Sequence, residues 1–221
     1  MERLERKLSN HALLNCLIVE YGTMVLRTIF DQRCPPQNLQ NYLSHPQINQ
    51  TLFHLRARAI LNMKQWKLLY PESPLIVSSA KFDITLLVIL LRNICGFKPP
   101  GNYEWNEDHV RSNSVEVNIT RLKDYKNTFV SHPSSASLDD ATFEENWAKI
   151  SSTIIELGGQ RYALLINQLK SVRVDVEAEN RSQVLLKIQQ KLKNLEGMLI
   201  MDSFSLYFKD SLRCATVLST N

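Results

Sequence analysis

The sequence predicts an all-α protein, a helical bundle followed by a C-terminal helical extension, and three observations carry that prediction. Only six glycines and eight prolines punctuate the 221 residues, which suits long helices better than many short strands. Apolar residues recur at spacings of three and four through most of the first 170 positions, the signature of amphipathic helices. A single stretch, SVRVDVE at 171–177, alternates as a strand would, and it is isolated.

The elements follow in order. Residues 8–30 read as a first helix, with Leu13, Leu14, Leu17, Ile18, Tyr21, Val25, Leu26 and Ile29 on one face and Cys34-Pro35-Pro36 ending it. A short helix over 36–45 is stopped by Pro46, and a third over 46–58 carries Ile48, Leu52 and Leu55 on its stripe. Asn62 is expected to cap the next turn, MKQWKLLY, which Pro71 closes. After the loop SPLIVSS, Ser79 is expected to cap a helix over 80–95, with Asp83 in its first turn. That helix is apolar nearly all round, so several neighbours must cover it. Gly96 is the expected left-handed end.

Residues 97–112 form a loop rich in Pro, Gly and Asn. A fifth helix is expected over 113–131, with Val115, Ile119, Leu122, Tyr125 and Phe129 or Val130 inward, ending before His132-Pro133. A sixth, over 140–157, presents Phe143, Trp147, Ile150, Ile154 and Leu157 and closes at Gly158-Gly159; residues 160–170 make one more short helix. The chain then divides, with a helical domain over 1–170 and an extension or linker over 171–221 whose composition is more charged and Gln-rich. Within the extension, Leu185, Ile188, Leu192, Leu195 and Leu199 step by three and four. Two heptads of this kind in 181–199 suit packing on the domain or pairing with a partner helix.

Hydrophobic residues make up 44% and charged residues 22%, an ordinary balance for a globular domain with a sizeable core. The net charge of +4 permits contact with nucleic acid without the dense basic stripe of a dedicated binder. Cys16, Cys34, Cys95 and Cys214 are widely spaced, with no C-x-x-C pair, which argues against a zinc site and a disulfide scaffold. Cys16 and Cys95 sit in apolar runs and read as buried thiols in a reducing, cytoplasmic setting. The charged start has no signal-peptide core, and the N-x-S/T triplets at Asn49, Asn118 and Asn180 read as chance matches. The longest apolar run, Ile84 to Leu91, is too short to cross a bilayer, which takes about 20 residues; no membrane contact is expected.

The stretch that carries chemistry runs from Asn118 to His132. His132 is expected at an exposed helix end, and histidine is the side chain suited to proton transfer near neutrality. Arg121 and Lys126 are cations suited to phosphate, and Asn127 donates and accepts hydrogen bonds. On one α-helix Arg121 and His132 would stand roughly 16 Å apart along the axis, so joint action with His132 needs the helix to end before it or a second copy of the helix. Taken alone, a histidine at a helix C-terminus is more often a cap or a partner of the helix dipole, and that reading of His132 is preferred on physics alone. Arg92-Asn93, closing the preceding core helix, is either a cation on a helix terminus or a supporting phosphate contact. His109, beside Glu107 and Asp108, matches no standard ligand set and reads as solvated loop. No Walker-type phosphate loop, HExxH or GxSxG is present, so no metal and no cofactor is expected.

Lys126-Asn127, four intervening residues and His132 resemble the signature of the HEPN superfamily, an arginine followed by a polar residue and, four to six positions on, a histidine. Lysine stands where the superfamily has arginine. Residues 82–96 (FDITLLVILLRNICG), Lys64-Gln65-Trp66, Tyr125-Lys126-Asn127, SSASLDDATFEENW (134–147) and Leu157-Gly158-Gly159 resemble one HEPN group, typified by the DAZ-interacting zinc-finger ubiquitin ligase. The resemblance covers about residues 10–165.

It implies a helical bundle that dimerises so that two motifs share a cleft. It also implies a metal-independent endoribonuclease site in which His132 serves the ribose 2′-OH as general base or acid. Lys126 and Asn127 would steady the phosphate, with Arg121, Arg92, Asn93 and Tyr125 as substrate contacts. Cleavage would leave a 2′,3′-cyclic phosphate and a 5′-OH. Two readings stay open: a dimerising, RNA-associated module of an innate-immune or ubiquitin-ligase-like protein, its motif degenerate at Lys126, or an active ribonuclease on single-stranded RNA. A nucleotide-binding module is a third.

Overall fold

In the computed structural model, which describes residues 10–97, 114–131 and 138–171 together with Gln190, every regular element is a helix. The expectations for the 97–112 loop with His109, for His132, for 171–177 and for the heptads of 181–199 fall almost wholly outside the described residues. The chain divides into two units, Met1–Lys170 and Ser171–Asn221; the helices below build the first.

Helix α1 spans Asn10–Arg33. Its predicted stripe is buried, and Phe30 joins it. Pro35 excludes helical geometry at the residue before it, and Cys34 turns out at φ −130°, ψ 78°. By length and composition α1 could cross a bilayer, as no single apolar run suggested, but 56% of its apolar window is buried inside the bundle. Its middle, Leu17–Gly22, is π-helical, which no periodicity announced.

Prolines delimit the next elements. After a 3-10 turn at Pro36–Asn38, α2 spans Leu39–Ser44, and His45 is extended ahead of Pro46, the first residue of α3 (Pro46–Ala57). Helix α4 (Met63–Leu69) opens with the expected cap, and Asn62 and Gln65 exchange side chain and backbone in a capping box. Arg56 lies 4.8 Å over the Trp66 ring and the Tyr70 hydroxyl donates to the Leu43 carbonyl at 3.0 Å. These contacts join α2, α3 and α4.

Helix α5 spans Ile84–Asn93, and its cap is Asp83, whose carboxylate accepts from the Leu86 N–H at 2.7 Å. Ser79, expected in that role, instead opens a separate 3-10 turn, Ser79–Lys81. The physical reason lies on α1. The Arg27 guanidinium donates to the carbonyls of Ser79 (3.0 Å), Ala80 (3.3 Å) and Phe82 (3.5 Å). Those acceptors are met by a cation, so no helix is needed to satisfy them. Ile84 and Leu86 to Leu91 are all buried, as an all-round apolar helix requires. Gly96 takes φ +85° beyond its end, and the Phe97 N–H returns to the Leu91 carbonyl at 3.1 Å.

Beneath the Arg27 clamp, burial raises the Asp31 carboxyl above its ordinary range, with Ser79 and Arg27 only partly opposing. Its Oδ1 is buried without a hydrogen-bond partner. A carboxyl with a raised folded pKa binds more protons folded than unfolded, so its contribution to stability falls as pH rises from the unfolded value of 3.8 through the folded one. Asp31→Asn is therefore expected to leave the protein at least as stable as wild type at pH 7. The difference should shrink through that window and vanish below it. Urea titrations at pH 7 and pH 3.5 check this, and a marked loss at pH 7 would show that the charge stabilises.

Helix α6 (Val115–Tyr125) is capped by Ser114 and continues as a π-helix over Lys126–Ser131. Val117, Asn118, Ile119, Thr120 and Leu122 face inward, whereas Val115 is 40% exposed and Tyr125, Phe129 and Val130 are half-buried. The predicted stripe was thus wrong at its start, because Val115 stands in the first turn beyond the neighbours that cover the rest, and in its last turns, where the pitch changes. Helix α7 spans Asp140–Gly158 behind the cap Asp139. Its predicted face is buried except for half-buried Leu157. Gly159 turns at φ +80°, and α8 follows as Arg161–Ser171.

Helix α1 runs through the middle, against α5, α6 and α7. The Asn10 amide donates to Asp140 at 2.9 Å, and Val25 lies against Gly158, so α1 and α7 are parallel. Asn118 meets Glu156, which sets α6 antiparallel to α7. The cysteines depart from expectation: Cys34 is fully buried, Cys16 and Cys95 half so, and the sulfurs of Cys34 and Cys95, 61 residues apart in sequence, lie 3.7 Å apart.

Candidate functional site

The predicted motif falls on the segment where α6 changes its hydrogen bonding. The Lys126 N–H reaches both the Leu122 and the Lys123 carbonyls, and from there to Ser131 the helix is π-wound. A rotation of 100° per residue therefore does not hold past Tyr125, and the spacing estimated for a uniform α-helix does not carry to its end. Such segments are rare and concentrate at functional sites. This one packs against the π-helical middle of α1, so two irregular turns lie side by side.

Lys126, Asn127 and Tyr125 are half-buried. Among the described residues neither the Lys126 nor the Asn127 side chain has a hydrogen-bond or ion-pair partner. Tyr125 reaches toward Lys149 on α7 and contributes to raising that amine's pKa, after the larger effect of Glu145. His132 lies outside the described residues.

The other candidates are already engaged. Arg121 donates to the Asn118 Oδ1 at 2.8 Å, Asn118 donates to Glu156 at 2.8 Å, and Ser152 donates to the same carboxylate at 3.0 Å. Asn118 is 1% exposed, so this chain is a polar joint between α6 and α7 whose inner member is fully satisfied. Arg92, half-buried in the last turn of α5, faces Asp124 on α6. Burial lowers the arginine's pKa and raises the carboxyl's, and each charge opposes the other's shift. The Asn93 amide folds back on the Ile89 carbonyl at 2.7 Å. The structure thus brings Arg92 to α6 two positions before Lys126, while Arg121 spends a donor on the joint with Asn118 and exposed Asn93 spends one on its own helix.

Three residues escaped the sequence reading. Asn118 left a signal, a polar residue between Val117 and Ile119 on a stripe that could not stay apolar. Asp124 left none, since its partner is 32 positions away. His11, which belongs to no motif, places its Nδ1 3.3 Å from the Asn15 amide, and its Nε2 is buried without a partner. Among the described residues no group of three or more His, Cys, Asp or Glu could hold a metal ion.

A family model described as DZIP3/hRUL138-like HEPN matches residues 36–182. The human E3 ubiquitin-protein ligase DZIP3 is 31% identical over 149 residues, and the mouse protein of the same name 30% over 149. Each alignment covers 66% of this chain and 12% of the ligase, so the chain spans about an eighth of the length of the curated relatives it matches. No solved structure matches. The family match begins after α1, later than the resemblance read from position 10.

Proposed function

The chain belongs to the DZIP3/hRUL138-like HEPN family, and on that premise we propose that its bundle is a dimerising, RNA-associated module of a ubiquitin-ligase-like or innate-immune protein in the cytoplasm, with a degenerate ribonuclease motif. One observation carries the reading. The motif segment Lys126–Ser131 is π-helical and held against α1, Lys126 and Asn127 in it are half-buried, and the cation it offers is a lysine with no partner among the described residues. Such a cation is available to a phosphate. As a point charge it lacks the planar, bidentate fit of arginine to a phosphoryl group that is gaining charge. It therefore favours holding RNA over cutting it. Pairing two copies would bring the second set of groups that one helix cannot place, and the 181–199 heptads could extend that association or take a partner helix.

The alternative, an active metal-independent endoribonuclease, draws on the same free Lys126 and Asn127 and on the presence of His132 at the family's spacing. Sedimentation of the full chain and incubation with labelled single-stranded RNA in EDTA separate the two. The module predicts a dimer that retains RNA and leaves it intact, and Lys126→Arg is expected to raise cleavage on the order of tenfold or more. Cleavage by the wild-type chain that disappears in His132→Ala would establish the enzyme instead. A monomer at all concentrations would overturn both.

A further inference from the structure

We propose that Cys34 and Cys95 form a reversible redox modification site, an intramolecular disulfide that staples the end of α1 to the end of α5. The inference does not rest on the functional reading above. It starts from position. Cys34 is the residue after the last turn of α1, and Cys95 follows α5 by two residues. Both stand in non-helical backbone where their helices stop side by side, and their sulfurs are already 3.7 Å apart. A disulfide needs about 2.05 Å, so closure asks for a movement of less than 2 Å at two residues just past their helices, where the Cys34 N–H still bonds the Phe30 carbonyl at 2.8 Å and the Cys95 N–H the Leu90 carbonyl at 3.3 Å.

The surroundings favour the chemistry. The Tyr42 hydroxyl donates to the Ile94 carbonyl at 2.6 Å, which pins the backbone next to Cys95. The Arg33 guanidinium, stacked 5.1 Å from the Phe97 ring, supplies positive charge beside the pair. The Cys95 thiol donates to Cys34, which stabilises a Cys34 thiolate against the cost of burial, with Tyr42 adding to it and Asp31 opposing. Burial and then Glu20 push the Cys16 thiol up to about 12, and the Cys95 thiol is raised as well, first by its hydrogen bond to Cys34 and then by burial; what sets the pair apart is the approach of its two sulfurs.

Access sets the order of events. Cys34 is fully buried and Cys95 half-exposed, so a low-molecular-weight disulfide such as oxidised glutathione meets Cys95 first. Once the pair has lost one proton to solvent, the Cys95 sulfur attacks one glutathione sulfur and its remaining proton passes to Cys34. The glutathione S–S bond breaks, a Cys95–glutathione mixed disulfide forms, and one glutathione thiolate leaves. Cys34 then gives its proton to solvent, attacks the Cys95 sulfur and expels the second glutathione thiolate. Two protein thiols are oxidised and one glutathione disulfide is reduced to two thiols, so atoms and electrons balance. The bond would enclose α2, α3, α4 and α5 in a covalent loop and fix the end of α5 that carries Arg92 and Asn93.

The test is oxidation of the folded full chain with oxidised glutathione, followed by alkylation and non-reducing peptide mapping. The expected product is a Cys34–Cys95 cross-linked peptide two hydrogens lighter than the reduced pair and reversed by dithiothreitol. It should be lost in Cys34→Ser and in Cys95→Ser and kept in Cys16→Ser and Cys214→Ser. The oxidised wild type should melt roughly 10 °C higher than the reduced form, a shift absent from Cys95→Ser. Because Cys34 is fully buried, the reduced melting curve of Cys34→Ser is compared with wild type, and half-exposed Cys95→Ser carries the test alone if it differs. A glutathione adduct on Cys95 that never resolves, a cross-link to Cys16 or Cys214, or no oxidised product would each overturn the proposal.

Discussion

Phe30→Ala is expected to destabilise the bundle by about 4 kcal/mol, the usual cost of removing a fully buried aromatic side chain and leaving a cavity. Phe30 is completely buried on α1, its ring centroid 5.9 Å from that of Phe82 at an interplanar angle of 65°. Such an edge-to-face pair adds about 1 kcal/mol beyond its area. Phe82 is itself 1% exposed and sits one residue before the cap of α5. The backbone there is held by Arg27, three residues before Phe30 on the same helix. These supports limit collapse of the site, and a cavity that cannot collapse lies at the costly end of the range. Urea unfolding followed by circular dichroism is the measurement. A loss below about 1 kcal/mol with an unchanged m-value would mean that the Phe30–Phe82 contact is not a principal seam of the core. If the variant is too unstable to purify, Phe30→Leu reads the same seam more gently.

The second large effect is expected from adding an atom. A methyl group on Gly158 would stand 2.2 Å from the Tyr162 ring carbons Cδ2 and Cε2 and 2.9 Å from Val25 Cγ2. Tyr162 is 1% exposed, and its hydroxyl lies 3.3 Å from that of Thr28 on α1. The ring cannot swing aside without surrendering that contact and the packing of α8 against α1. Gly158→Ala is therefore expected to cost about 3 kcal/mol, at the upper end of overpacking, even though alanine is the better helix former. Gly22→Ala is the control. Its added carbon meets Ile84 and Leu122 at 3.5 and 3.6 Å, ordinary contact, so it should be neutral or mildly stabilising. Equal effects at the two positions would refute close approach as the reason for glycine at 158.

Most helix boundaries were legible because the signals are local. Proline excludes helix at the residue before it, which ended α1 at Cys34, α2 at His45 and α4 at Tyr70. The Asn62 capping box needs three residues of context, and so does the left-handed turn at Gly96. Ser79 shows the limit. As a local cap it was a fair candidate, but Arg27, 52 positions earlier, takes its carbonyl. Val115 shows another, since a stripe says which side faces in and not how far along the helix the neighbours reach.

The candidate site divides in the same way. The sequence by itself determined the family, the all-α class and the order Lys126, Asn127, His132, because these rest on residue identity and on spacing within one helix. Tertiary structure alone decided which cations remain free. Arg121 is drawn into the joint with Asn118 and Glu156, and Arg92 is set against Asp124, while Lys126 keeps its charge uncommitted among the described residues. It also decided that two cysteines with no spacing relation would meet, and that the motif would ride on a π-helical turn packed against another. The physical reason is common to all of these. Periodicity, capping and proline geometry act over three or four residues, whereas the partner of a charge or a thiol is chosen by the packing of helices that the chain brings together from dozens of positions away.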